Sequence, residues 1–102
     1  MFETALVIRS SERRKLVFGV RLRCAGRMAL CEVVDLSETG CKLKAVANFV
    51  TVGDNVTIKP EALEVLTGTV RWKEDGWLGV EFHHSMYGPV VDHLAKTNVS
   101  ER

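Results

Sequence analysis

The stretch LTGTVRWKEDGWLGVEF, residues 66–82, decides the fold. Its apolar side chains form two sets, Leu66, Val70, Trp72 and Leu78, Val80, Phe82, which recur at even spacing on either side of Glu74-Asp75-Gly76. Period-two patterning around a turn sequence predicts a β-hairpin with one buried face. A two-residue turn at Asp75-Gly76 would set Val70 against Glu81, a poor match. A three-residue loop over Glu74-Asp75-Gly76 instead pairs Trp72 with Leu78, Val70 with Val80 and Gly68 with Phe82, with Gly76 in the left-handed position that closes such loops. That register is the expected one, with Thr69 beside Glu81 and Arg71 beside Gly79 on the outer face.

Working upstream, Phe18-Gly-Val-Arg-Leu-Arg-Cys24 alternates in the same way, placing Phe18, Val20, Leu22 and Cys24 inward and Arg21 and Arg23 outward. A two-residue turn at Ala25-Gly26 would bring Ala29, Cys31 and Val33 back opposite Leu22, Val20 and Phe18. Met28, Leu30 and Val34 then fall on the reverse face, where something must cover them. After the polar break DLSETG, residues 35–40, a short strand runs from Cys41 to Leu43 or Lys44. Ala45 to Gly53 is a connection, and Asn55 to Lys59 another strand whose regular pairing ends at Pro60.

Downstream, Ser85 and Pro89 mark the approach to a short helix with Val90, Val91 and Leu94 on one side. So short a helix cannot stand alone and must dock on the strands, with the Met28, Leu30 and Val34 face as a candidate seat. About six short strands followed by one helix predict an all-β, small antiparallel barrel.

Composition sets bounds on function. The 102 residues form one domain, large enough to bury roughly 60–65% of its unfolded surface but too small for a second core. With 46% hydrophobic and 26% charged residues the chain is globular, and charge interrupts every apolar run short of a membrane span. The opening MFETALVI lacks the basic start and long apolar region of a secretion signal, so a cytoplasmic location without membrane insertion is expected. Cys24, Cys31 and Cys41 form no C-x-x-C pair and are expected to be reduced thiols. The formal charge of +1 is a near cancellation: residues 1–30 carry seven basic and two acidic side chains, net +5, and the remainder seven basic and eleven acidic, net −4. The N-terminal third therefore faces an anion.

Catalytic and metal chemistry find little support. His83 and His84 are adjacent and point apart on a strand, His93 lies on the helix, and no ligand spacing accompanies them, so no metal or other cofactor is expected. Ser37 has Asp35 nearby but no neighbouring histidine, and Cys41 fits a core position, so no catalytic residue is assigned and the chain is not expected to be an enzyme. Taken singly, DLSETG is a Ser- or Asx-capped bend with Gly40 in an unusual dihedral, and the run from Arg9 to Lys15 is a solvated arm.

Taken together, the two elements resemble those of the PilZ domain family. Arg9-Ser-Ser-Glu-Arg13 matches an R-x-x-x-R element and Asp35-Leu-Ser-Glu-Thr-Gly40 a D/N-x-S-x-x-G element, at the family's usual separation, and Leu66–Trp72 with Leu78–Phe82 is similar to its closing hairpin. The resemblance runs from about Arg9 to Leu94. It implies a six-stranded antiparallel β-barrel with a short C-terminal helix, and a bacterial receptor for cyclic di-GMP, bound as one molecule or as an intercalated pair. By match, Arg9 and Arg13 are the paired arginines and Asp35, Ser37 and Gly40 the binding positions of the second element. Arg14 and Lys15, where many members continue with apolar residues or proline, depart from the pattern, and Arg14 is taken as a third candidate. The expected layout is a basic arm over residues 1–15, the barrel and helix over 16–96 and a tail over 97–102.

The residue types suit that ligand. An arginine fork grips phosphate through two donors, meets guanine O6 and N7, or lies on the ring face. Guanine N1 and N2 are donors that the Asp35 carboxylate can accept, and the Ser37 hydroxyl can bond base or phosphate. Gly40 would let the backbone approach the ligand. Arg9 and Arg13 on an extended arm span ~13 Å, enough to reach opposite ends of a folded ligand pair. An arm that orders over the ligand changes the surface seen by a separate, unidentified effector protein. The alternative is a ligand-independent PilZ-like interaction module, since some relatives keep the barrel and have lost nucleotide binding. Specific nucleic-acid binding is disfavoured by the acidic remainder. Trp77, on the outer face of its hairpin, either packs at the strand end or marks a partner or dimer surface.

Overall fold

A computed structural model describes residues 13–45, 48–60 and 63–98. Six strands, β1 (Arg14–Cys24), β2 (Arg27–Leu36), β3 (Gly40–Lys44), β4 (Asn55–Pro60), β5 (Leu66–Glu74) and β6 (Trp77–Phe82), precede one helix, α1 (Gly88–Thr97). The strands close into an antiparallel barrel in the order β1-β2-β3-β6-β5-β4. The interior is filled by one side chain in two from each strand, among them Leu16, Leu22, Val33, Leu43, Ile58, Val70 and Leu78, all essentially without solvent exposure. Closure removes the exposed edges that an open sheet of this size would present.

The first hairpin has the expected register. Phe18 faces Val33, Val20 faces Cys31 and Leu22 faces Ala29, and both turn residues, Ala25 and Gly26, take positive φ (53° and 82°) as a type I′ turn requires. The strand begins at Arg14, so Arg14 and Lys15 belong to β1 rather than to a free arm.

The closing hairpin differs from expectation. Its loop is the two-residue turn Asp75-Gly76, again with both φ positive (50° and 85°), and Glu74 pairs with Trp77. The mismatch this turn would impose on Val70 is absorbed by a β-bulge at Arg71, which restores Val70 to Val80 and Gly68 to Phe82. Trp72 is thereby placed opposite Gly79 instead of Leu78. The alternation breaks at the bulge, and Trp72 leaves the core set for the outer face.

As expected, the regular pairing of β4 ends at Pro60, which is itself the last strand residue, opposite Val20, where a missing N–H is tolerated. One further expectation is corrected. The helix does not cover Met28 and Leu30, which are 46% and 74% exposed. It packs instead on the first half of β1, burying Val91 and Ala95, with Leu94 against the core. Its anchor is another bulge: between Lys15 and Phe18 the β1–β2 register shifts by one residue, and the Val17 N–H donates to the Asn98 carbonyl at the helix end (2.9 Å). Arg14 adds an ion pair with Asp92 on the helix.

Candidate functional site

A third bulge builds the site. In β2, Val33 pairs with Leu43 but Asp35 pairs with Lys42, so Val34 is an extra residue. Strict alternation from Cys31 and Val33 would send Asp35 into the core; the bulge turns Leu36 inward and leaves Asp35 on the outer side in register with Lys15 on β1 and Lys42 on β3. Lys42 faces Gly79 on β6, and Gly79 faces Trp72 on β5. One row across the barrel wall therefore runs Lys15, Asp35, Lys42, Gly79, Trp72. A concavity of about 400 Å³ opens over it, lined by Arg13, Asp35, Gly40, Lys42, Trp72 and Glu81 among others, a size suited to a small ligand.

Asp35 is the buried charge of this wall. Its side chain is 8% exposed, with Oδ1 3.7 Å from Arg13 Nη1 and Oδ2 3.3 Å from Lys15 Nζ. The Arg13 contact is too long for a hydrogen bond, and among the described residues Oδ1 has no hydrogen-bond partner. A buried carboxylate with an unused acceptor costs free energy, which the neighbouring Arg13 and Lys15 cations offset without supplying a hydrogen bond to Oδ1.

The bend itself is held by its own polar groups. The Ser37 N–H donates to the Gly40 carbonyl (2.9 Å), the Thr39 N–H donates to Ser37 Oγ (3.2 Å), and Ser37 Oγ donates to the Gly40 carbonyl (3.4 Å). Ser37 is thus buried as a staple of the turn and does not line the concavity. Gly40 does line it, but its backbone φ is not in the left-handed region that a capped bend would suggest. Glycine is needed there because β3 runs against β6, where a Cβ would stand 2.4 Å from the Val80 carbonyl oxygen. The bend is also tied to the end of β6 and to the segment that leads into the helix: the Phe82 N–H donates to the Thr39 carbonyl (2.8 Å) and the Met86 N–H to that of Glu38 (2.7 Å).

Gly79 plays a related part on the other side. A Cβ there would lie 2.0 Å from Trp72 Nε1, so the indole lies across the glycine, filling the strip that a side chain would occupy. Trp72 remains 39% exposed, presenting aromatic surface to the concavity. Beside it Arg71 Nε donates to Glu81 Oε1 (2.6 Å), and Lys42 Nζ sits 4.6 Å from the centre of the Trp77 ring.

Of the six residues singled out from sequence, the structure gathers Arg13, Asp35 and Gly40 around the concavity, puts Ser37 beneath it and turns Arg14 away to Asp92; Arg9 lies outside the described residues. Lys42 and Trp72 also line the concavity, and neither is among the candidates that the sequence offers. The signal for Trp72 was present in Asp75-Gly76, a strong two-residue turn sequence that places position 72 against Gly79.

Nucleophilic chemistry at Cys41 is disfavoured, since burial pushes its thiol up to about 12 and keeps it neutral. Among the described residues no cluster of three His, Cys, Asp or Glu side chains is placed to hold a metal ion, and no helix is long and apolar enough to cross a membrane. Compared with known protein families, residues 8–95 match the PilZ domain. No curated protein matches the chain.

Proposed function

The chain belongs to the PilZ domain family, a family of non-catalytic cyclic di-GMP receptor modules, and from that premise we propose that its concavity receives cyclic di-GMP through Arg13, Asp35 and Trp72. The observation that supports this most is the Asp35 carboxylate, buried on the outer wall with Oδ1 lacking a hydrogen bond among the described residues. Guanine supplies what that oxygen lacks, through N1–H and the N2 amino group. The aromatic surface of Trp72, in the same row, suits the flat base, and Arg13, Lys15 and Lys42 match the two phosphodiesters. Ser37 and Gly40 act through the shape of the bend. Arg9 joins Arg13 on the ligand as the N-terminal arm orders over it, and the altered surface is read by a separate effector protein in the bacterial cytoplasm.

Calorimetric titration with cyclic di-GMP tests this, beside Arg13→Ala and Asp35→Ala and with GTP as control. Saturable binding near micromolar, about −8 kcal/mol, lost in both variants and absent with GTP, is the expected outcome, and the fitted ratio separates one ligand from two. Hydrogen exchange across residues 1–15 should slow on ligand addition. Silence both in calorimetry and in a fluorescence titration would leave the ligand-independent interaction module in its place.

A further inference from the structure

Beyond the helix, which packs on the first half of β1, the second half of β1 presents an open outer face together with β4 and the first half of β2. We propose that this face docks an acidic, amphipathic segment of another protein, with Leu30 as the central apolar contact. Leu30 stands between two hollows. One, of about 370 Å³, lies over Gly19, whose missing side chain opens the space toward Lys59 and Pro60; the other, of about 380 Å³, runs along Ala29 and Glu32 toward Lys44 and Ala45. An exposed leucine on a ridge between two depressions offers a partner both an apolar knob and two places for its own apolar side chains. Met28, two residues along the same face, extends the apolar strip.

The surrounding charge selects the partner. Cross-strand pairing sets Arg21 beside Leu30, Arg23 beside Met28 and Lys59 on the far side of Arg21. Two cations directly opposed on neighbouring strands repel, and Lys59 is fixed in place by the carbonyls of Pro60 and Leu63 (3.0 and 2.5 Å). Among the described residues no carboxylate forms an ion pair with Arg21, Arg23 or Lys59; Glu32, the acid on this face, stands opposite Lys44. A segment with carboxylates flanking apolar side chains would relieve that repulsion while covering Leu30. A second copy of this chain fits less well, because a two-fold contact centred on Leu30 would face Arg21 and Arg23 with their own kind. The proposal does not depend on what occupies the concavity over Asp35, Lys42 and Trp72.

Selection from a random 16-residue peptide display library on the full chain, with depletion on the Leu30→Ser variant, tests it. Enriched peptides should carry net negative charge around at least two apolar residues. Synthetic versions should bind at least tenfold more weakly to Leu30→Ser and to Arg21→Glu by fluorescence polarisation. Both side chains lie outside the barrel, so each variant should melt like the parent and leave cyclic di-GMP titration unchanged. No enrichment, enrichment of basic or uncharged peptides, or binding indifferent to both substitutions would overturn the proposal. So would a dimer by sedimentation equilibrium that Leu30→Ser dissolves, which assigns the face to a second copy, or displacement of the selected peptides by a synthetic peptide of residues 1–8, which assigns it to this chain's own N-terminal sequence.

Discussion

Substituting alanine for Gly79 should damage the protein through a residue that has no side chain to offer a ligand. The new Cβ would need the position of the Trp72 indole, 2.0 Å from Nε1, so the ring must leave the strip it covers. Trp72 is 39% exposed, so about three-fifths of a surface of roughly 250 Å² is covered, about 150 Å². If a third to a half of that lies on the Gly79 strip, eviction costs ~1–2 kcal/mol at ~25 cal/mol per Å². Thermal unfolding should then fall by about 4–16 °C. Loss of the aromatic platform should weaken cyclic di-GMP by ~1–3 kcal/mol, roughly 5- to 150-fold. The sharper test is the sign in a Trp72→Ala background. With the indole gone, Gly79→Ala should become neutral or stabilising by ~0.5–1 kcal/mol, because glycine in a strand loses more conformational freedom than alanine. Calorimetric melting and ligand titration of the four proteins form a double-mutant cycle. Equal and additive effects of Gly79→Ala in both backgrounds would refute the stacking of Trp72 on Gly79 and its place in the site.

Three further outcomes rest on the same geometry. Asp35→Asn and Asp35→Ala should abolish nucleotide binding yet melt at or above the parent temperature, because each removes a buried carboxylate with an unfilled acceptor; a large loss of stability would show that Asp35 serves the fold and not a ligand. Gly40→Ala should destabilise by ~1–3 kcal/mol in thermal melts, since the Cβ meets backbone at the Val80 carbonyl and β3 must move off β6; an unchanged melt would refute that close approach. Burial raises the thiol of Cys41 to about 12 from 9.0, and those of Cys24 and Cys31 in the same direction. The stability this supplies is full below the unfolded value and is lost as pH rises from 9 toward 12, so alkaline unfolding should be gentler in Cys41→Ala, and the native thiol at 41 should resist iodoacetamide at pH 8 until the chain unfolds.

Alternation carried the sequence reading as far as alternation holds. From Phe18 to Val33 the expected pairs are the observed ones, because the two-residue turn on which they depend does form at Ala25-Gly26 and every inward position is apolar. The reading failed at bulges. Arg71 looked like one more outward strand residue, and with no bulge the only register that matched Val70 to Val80 required a three-residue loop; inserting one unpaired residue allowed the stronger Asp-Gly turn and the same core match together. The helix seat was missed for a related reason. Its docking point is the Val17 amide freed by the β1–β2 irregularity, which no hydrophobic pattern announces, whereas the apolar strip at Met28 and Leu30 that seemed to demand cover was left exposed.

Two of the bulges, at Val34 and Arg71, fall at the candidate site. A closed barrel wall with strict alternation would offer the outside only its outward residues, and in this chain Asp35 and Trp72 both sit at positions that alternation assigns to the inside. Each is brought out by a single extra residue, Val34 before Asp35 and Arg71 before Trp72, and the two are thereby placed in one row with Lys42 and Gly79 between them. The local ladder gives up regular pairing at those points, and in return a carboxylate and an indole stand on a rigid wall where loops would hold them less firmly. Deleting Val34 or Arg71 should therefore do more than weaken the sheet: it would return Asp35 or Trp72 to the core phase, a buried charge in one case and an overpacked interior in the other. The bulges are invisible to pattern reading because a local motif such as D-x-S-x-x-G names residues without stating which face they occupy. Face is a property of the register of two neighbouring strands, and only the paired structure supplies it.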